Sequence, residues 1–356
     1  MKKKTILHII YNLGRGGAET MLVQVIKKLS GYHNIVVTLQ QDNHFKDELQ
    51  CDEYICLNQP SIVSIPVAAL RLRKLIKARD VDIVHSHLPL SNFVARLAVP
   101  STIPLINTIH NSILTSLDYQ KWFIRFLDKS TYKFRKSTII AVSKNALDDY
   151  FSVLRLKKKE AVLLYNFVDT ELYSEKILKL ETEGFGAICV ASLSRQKNIA
   201  YLINAFSLLK NSNMNLHIYG SGELQKELQN LINTKSVNIS LMGQVKNIPA
   251  TLPQYDIFIM ASFFEGFSLS VLEAMAAGVP LLLSDIPSFR EQCGEHAMYF
   301  DLNDPEDFAA KMLKLKSDSN LRIDMANKAR NYVAENFTLE HYMKKLKGIY
   351  NDHLKE

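Results

Sequence analysis

Short apolar runs alternate with amphipathic stretches along almost the whole chain, and this alternation constrains the fold more than any other feature of the sequence. Runs at 5–11, 35–39, 82–85, 103–109, 138–142 and 162–165 have the length of buried strands. Between them lie segments with helical spacing. Ala18, Met21, Leu22, Val25, Ile26 and Leu29 recur at i, i+3, i+4 and i+7, which puts them on one helix face. Ser143 stands where an N-cap is expected, ahead of Ala146 and Tyr150. A series of this kind builds a parallel sheet covered by helices. The pattern fades around 174–185 and then restarts, with runs at 187–191, 216–219, 239–242, 256–260, 279–283 and 297–300. Helical stretches at 199–209, 267–277, 305–315, 321–336 and 339–353 accompany them. The sequence therefore predicts an α/β protein of two Rossmann-like, doubly wound domains. They are placed at 1–175 and 186–336, with 337–356 expected to form a helix that crosses back to the first domain. Ligands of such sheets bind beyond the carboxyl ends of the strands, so a cleft in which the two domains face each other is the expected site.

Length agrees, since 356 residues correspond to about two domains. No run of 18 apolar residues occurs, so no transmembrane helix is expected. Lys2, Lys3 and Lys4 followed by a seven-residue apolar run could pass for a signal peptide, but His8 interrupts the run and a glycine-rich loop follows it. A first buried strand is the expectation instead. The four cysteines, Cys51, Cys56, Cys189 and Cys293, show no metal-binding spacing and suit a reducing cytoplasm.

The net charge of +7 is concentrated. Between Lys121 and Glu160 eleven Lys and Arg face four acids, which accounts for the whole excess. Lys121, Arg125, Lys129 and Lys133 fall at i, i+4, i+8 and i+12, with Trp122, Phe123, Phe126 and Leu127 among them. A basic amphipathic helix of this kind can lie on an anionic membrane. The competing reading is a surface helix whose aromatics enter the core. Nucleic acid is not the expected partner, because no binding motif is present and the second half has no matching basic face.

Three segments carry chemistry. Gly14-Arg-Gly16-Gly17-Ala18-Glu19 separates the first strand from the first helix, where glycines let backbone N–H groups approach an anion. Glu19 fills the third glycine position of a dinucleotide fingerprint, so that motif is absent. In the second half, Glu265 and Glu273 stand eight residues apart around a helix start at Phe267, Ser268 and Leu269. Free N–H groups there suit a phosphate, and a carboxylate nearby can grip sugar hydroxyls. Asp80-Val-Asp82 looks like a metal-binding acidic pair but reads better as the entry to a strand. His85 and His87 share a strand face, yet no carboxylate or cysteine stands beside them in sequence, so no metal is expected.

Glu265 and Glu273 with Ala274-Met-Ala-Ala-Gly278-Val-Pro280 behind them resemble the retaining glycosyltransferases of family 4, which have the GT-B fold. The resemblance extends over nearly the whole chain. It takes in Gly16-Gly17-Ala18-Glu19, Asp82-Ile-Val-His-Ser-His87, Thr108-Ile-His110, Tyr165-Asn166, Leu193-Ser-Arg-Gln-Lys197-Asn198 and Tyr219-Gly-Ser-Gly-Glu223. It implies transfer of a sugar from a nucleoside diphosphate sugar, with UDP favoured over GDP, to an acceptor hydroxyl, without cofactor or metal. By resemblance Glu273 holds the ribose, and Glu265 holds the donor sugar with Phe267, Ser268 and Leu269. Lys197 neutralises the diphosphate, which Gly16 and Gly17 also approach, and Val245 lies near the base. His110 lies near the anomeric centre, and His87 is expected on the acceptor side. The family frequently uses lipid-linked acceptor saccharides, which would set Lys121, Trp122, Arg125, Lys129 and Lys133 against the inner membrane face. One departure stands out: Ser192 replaces the usual diphosphate-binding arginine, and Arg195 is the expected substitute. That departure keeps one rival in view, an inactive sugar-nucleotide-binding or scaffolding partner; a sugar-nucleotide 2-epimerase on the same fold is a second.

Overall fold

The computed structural model describes residues 2–114, 116–158, 161–173, 184–245 and 247–355. Thirteen strands form two all-parallel sheets among these residues. The first contains β1 (Thr5–Ile10), β2 (His33–Thr38), β3 (Glu53–Cys56), β4 (Ile83–His87), β5 (Leu105–Ile109), β6 (Thr138–Ala141) and β7 (Ala161–Leu163), in the order β3-β2-β1-β4-β5-β6-β7. The second contains β8 (Phe185–Val190), β9 (Met214–Tyr219), β10 (Ile239–Gly243), β11 (Ile257–Met260), β12 (Leu281–Ser284) and β13 (Met298–Phe300), in the order β10-β9-β8-β11-β12-β13. Both are doubly wound sheets in which the first strand of each lies centrally. The order reverses between β1 and β4 in one and between β8 and β11 in the other, and crevices at such reversals take ligands.

The chain divides into a first unit, Met1–Asn166 with Glu340–Glu356, and a second, Phe167–Leu339. The join expected between 175 and 186 falls largely on 174–183, outside the described residues. The closing helix, Leu339–Lys355, belongs mainly to the first unit. Its buried Tyr350 hydroxyl lies 2.6 Å from His85 Nδ1, and His353 Nε2 lies 2.9 Å from Thr138 Oγ1.

The twelve expected strands are all present. β3 is the addition, and its physical reason is plain. It is a four-residue edge strand, only partly buried, whose alternating Glu53-Tyr-Ile-Cys56 is too short and too polar to stand out as an apolar run. The central strands β1, β4, β5 and β6 are buried throughout, as parallel strands covered on both faces must be. Ser143 caps its helix as expected, its Oγ accepting the Ala146 N–H at 3.1 Å. In the second unit two glycines allow one loop to bolt against another. Gly220 has φ +143°, and a Cβ there would lie 1.9 Å from the Ala191 carbonyl oxygen, while one at Gly222 would lie 2.4 Å from that of Leu193. Only glycine tolerates this approach. It lets Leu193 N–H donate to Ser221 O and Leu224 N–H to Leu193 O, fixing the start of the segment that carries Lys197.

The charged segment departs from its surface reading at one residue. Asp128 is buried, and its carboxylate takes the guanidinium of the equally buried Arg96 at 2.5 Å. Tyr150 donates to the same carboxylate at 2.7 Å and Tyr119 donates to its other oxygen, while Arg96 Nε donates to Asn107 Oδ1 at 2.8 Å.

Candidate active site

In the second unit the site residues sit where the strand order reverses. The loop after β8 ends in a 3-10 turn, Arg195–Lys197, and the loop after β11 carries Ser262 and Glu265. The two loops meet. Phe263 N–H donates to Gln196 O at 3.0 Å, and Lys197 Nζ lies 2.6 Å from Glu265 Oε1. The same oxygen accepts Ser262 Oγ at 2.6 Å, and Gln196 Nε2 donates to Phe264 O at 2.9 Å. Glu265 is thus a buried carboxylate paired with Lys197 and hydrogen-bonded to Ser262 and Gln196, an arrangement that fixes its direction. Arg195 and Ser192 are exposed on this segment, with Ser192 Oγ 3.2 Å from Ser194 Oγ.

Beyond Glu265 the chain enters the helix Leu269–Ala276 with Ser268 as N-cap. Ser268 departs from the expectation of a free amide. Its N–H donates to Gln292 Oε1 at 2.9 Å and its carbonyl accepts Gln292 Nε2 at 2.8 Å, so a neighbouring side chain takes the place expected for a ligand. Gln292 is a site-shaping residue that sequence reading missed, since nothing local links it to Ser268. Phe267 is buried against Phe337 with ring centroids 5.1 Å apart. Glu273 projects from the second turn, and burial pushes its carboxyl up to about 7. Gly243 holds a left-handed φ of +72°, and its carbonyl accepts Gly220 N–H at 2.7 Å, which sets the position of the loop containing Val245.

The first unit carries its own group at the reversal between β1 and β4. Gly16 is the N-cap of the helix Gly17–Lys27, and a Cβ on it would lie 2.4 Å from Glu19 Oε2. The missing side chain lets the Glu19 carboxylate fold back over the helix start, where burial raises its pKa. Four histidines stand on or just after β1, β4 and β5. His85 and His87 share a face of β4 with ring centroids 4.3 Å apart, and His8, paired with His85 across β1 and β4, lies 5.9 Å and 6.4 Å from them. His87 Nδ1 is 3.2 Å from Nε2 of the half-buried His110, which follows β5. Burial drives all four imidazoles toward the neutral form, His8 and His110 to about 4, with mutual repulsion adding to the shift at His85 and His87. His87 is therefore buried, with His110 as its hydrogen-bond partner.

His8 was not singled out by its sequence position, because only the pairing of β1 with β4 brings it to the cluster. Ring nitrogens of His8, His85 and His87 lie within 4.8 Å of one another, a spacing that admits the question of a metal ion. His85 already uses both nitrogens, on Tyr350 and on Thr108 Oγ1 at 2.7 Å. The remaining wall is mostly Met21, Leu22, Val25 and Leu346. A dication there would meet the two imidazoles of His8 and His87, whose Nδ1 and Nε2 (His8) and Nε2 (His87) have no hydrogen-bond partner among the described residues, and a mostly apolar lining, a poor match to the donor set of a divalent site.

Of the basic residues, Lys121 and Lys133 are exposed on or beside the helix Trp122–Phe134, and Arg125 Nε donates to Tyr119 O at 2.5 Å. The aromatics do not enter the core. Trp122 is 76% exposed and Phe126 61%, and helical periodicity puts them on one outer face with Lys129 and Lys133.

Comparison with known proteins resolves the class. Residues 15–172 match the model of Glycosyltransferase Family 4, and residues 171–332 match that of Glycosyl transferases group 1. The chain belongs to this glycosyltransferase family. It is 26% identical to the N-acetylgalactosamine-N,N'-diacetylbacillosaminyl-diphospho-undecaprenol 4-alpha-N-acetylgalactosaminyltransferase of Campylobacter jejuni, over 90% of this chain and 92% of that one. It is 26% identical to the Escherichia coli UDP-Gal:alpha-D-GlcNAc-diphosphoundecaprenol alpha-1,3-galactosyltransferase, over 82% and 81%. The Anabaena protein HepE, solved with UDP and glucose, superimposes with a TM-score of 0.84 at 18% identity, over 97% of this chain and 99% of that one. A Rickettsia africae glycosyltransferase gives 0.83 at 20% identity over the full length of both. The glycosyltransferase accordingly has the GT-B fold class. No helix among its described residues is long and apolar enough to cross a membrane.

Proposed function

We propose that this glycosyltransferase transfers a sugar from a UDP-sugar, with retention at the anomeric carbon and without a metal ion, to a lipid-linked saccharide in surface polysaccharide or glycolipid assembly. The observation that carries the reading is the Lys197–Glu265 pair at the reversal between β8 and β11, with Glu273 on the helix that follows. A nucleoside diphosphate leaving group needs a cation where its charge develops, and Lys197 is that cation. Glu265 and Glu273 supply fixed acceptors for sugar and ribose hydroxyls. In the transfer the bond from the anomeric carbon to the phosphate oxygen breaks, the bond to the acceptor oxygen forms on the same face, and the acceptor's proton passes to the departing diphosphate. The undecaprenol-linked substrates in the names of the two relatives, and the UDP bound to HepE, support the substrate classes.

Melting of the protein in EDTA with UDP, GDP, ADP or CMP tests the donor. A ligand at a hundred times its dissociation constant adds about 2.7 kcal/mol. UDP is expected to raise the melting temperature and to fail with Glu273→Ala; stabilisation by none of the four would sink the reading. A pH dependence follows from the raised carboxyl of Glu273. A folded pKa above the ordinary value makes the ionised form unfavourable in the free protein, so its share of stability falls as pH rises from the ordinary carboxyl range through about 7. Ribose hydroxyls favour the ionised form. UDP affinity is therefore expected to increase between pH 6 and pH 8, and Glu273→Gln is expected to flatten the profile.

The outer face of the helix Trp122–Phe134 is assigned to an anionic bilayer. Trp122 is the chain's single tryptophan, so its fluorescence reports on this helix alone. Vesicles containing phosphatidylglycerol are expected to shift its emission to the blue, and salt is expected to reverse the shift. Equal response to neutral phosphatidylcholine, or none to either, would remove the membrane from the account.

A further inference from the structure

We infer that His87 is a positioning residue that sets the tautomer of His110, so that His110 presents Nδ1–H as a hydrogen-bond donor to the reacting sugar and not a basic nitrogen. That His110 lies beside the sugar rests on the function proposed above; the tautomer itself does not.

The inference starts from proton counting. Two neutral imidazoles meet at His87 Nδ1 and His110 Nε2, 3.2 Å apart, so one nitrogen must donate and the other accept. If His110 Nε2 carried the proton, His87 would have to hold its own on Nε2. That nitrogen is buried and has no protein hydrogen-bond partner among the described residues. A buried N–H without an acceptor is costlier than a lone pair without a donor. The favourable arrangement puts the His87 proton on Nδ1, donating to His110 Nε2. His110 then holds its proton on Nδ1.

The surroundings keep the His87 ring where this works. His85 is tied at both ends, by Tyr350 of the closing helix and by Thr108, and stacks on His87 at 4.3 Å. His8 stacks on His87 from β1, with an interplanar angle of 22°. Thr108 belongs to the same strand segment that leads to His110, so one hydrogen-bonded frame orients both partners. The consequence is chemical. A histidine with Nε2 engaged as an acceptor and Nδ1 protonated cannot take a proton from the acceptor hydroxyl. It can hold a donor-sugar hydroxyl in place, which leaves proton removal to the departing diphosphate.

Side-chain nitrogen NMR of histidine-labelled protein, with His110→Gln to assign the signal, reads the tautomer without any substrate. The Nδ1–H form is expected at His110 in the unaltered protein. His87→Leu removes the donor and is expected to give mixed tautomers. His87→Asn, whose amide nitrogen occupies the Nδ1 position, is expected to restore the single form. With an active donor and acceptor, His87→Leu is expected to lower kcat by about ten- to a hundredfold with donor KM little changed, as loss of an outer-shell partner typically does, and His87→Asn to recover most of it. An Nε2–H tautomer in the unaltered protein overturns the inference, as does a His87→Leu protein that melts like the unaltered one and keeps its single tautomer or its kcat. Should UDP binding fail, the function is wrong while the tautomer still stands on the spectrum.

Discussion

Lys197→Ala is expected to lower turnover by about a hundred- to a thousandfold, the loss usual when one preorganised group facing developing charge is removed. Two effects combine. The ammonium proposed to meet the diphosphate is lost, and the Glu265 side chain, 6% exposed, is left with Ser262 and Gln196 as its side-chain partners among the described residues. The second effect separates from the first in a double-mutant cycle. If Lys197 served only to hold Glu265, Glu265→Gln with Lys197→Ala would recover much of what Lys197→Ala loses. If Lys197 meets the diphosphate, the double variant stays as slow as the single one. Initial rates with a UDP-sugar and a lipid-linked acceptor decide this, with melting temperatures to show that the variants fold. Turnover of Lys197→Ala within threefold of the unaltered enzyme would exclude a role in leaving-group stabilisation. Arg195, exposed two residues earlier, would then be the cation to test.

Asp128→Ala is expected to destabilise the first unit by about 3–5 kcal/mol, because it strands a buried guanidinium. The side chains of Arg96 and Asp128 are 0% and 2% exposed, so the guanidinium left behind is cut off from bulk solvent. Total stability of a domain is about 5–15 kcal/mol, so the loss would leave the unit marginal. Two units make a single transition unsafe to assume, so hydrogen exchange at β5 and β6, beside the pair, is the direct measure. Replacing both residues, Arg96→Met with Asp128→Leu, is expected to recover much of the loss, since a packed apolar pair avoids the stranded charge. A loss under about 1 kcal/mol in Asp128→Ala would show that the ion pair contributes little beyond its cost of burial.

The site was legible in the sequence to the extent that local spacing carries it. Glu265 and Glu273 bracket a helix start, and the loop containing Lys197 follows a strand; both facts depend on periodicity within a few residues. The partners of these groups were not legible. Ser262 and Gln196 on Glu265, Gln292 on the Ser268 amide, and Tyr350 on His85 are contacts between separate segments, the last spanning 265 residues. The basic stretch shows the same limit. Its charge count carries no sign that helical packing turns Asp128 inward onto Arg96.

By itself the sequence determined the alternation of strand and helix, the repetition of that series, and the family to which its motifs belong. Each is a property of neighbours along the chain, where the 2.0- and 3.6-residue periods of backbone geometry leave their mark. Which strand lies beside which was decided only by tertiary structure. The pairing of β1 with β4 brought His8 to His85 and His87, and that of β8 with β11 brought Lys197 to Glu265. Strand order is selected by the burial of whole sheet faces and by the hand of the crossovers, terms that no single stretch of residues contains.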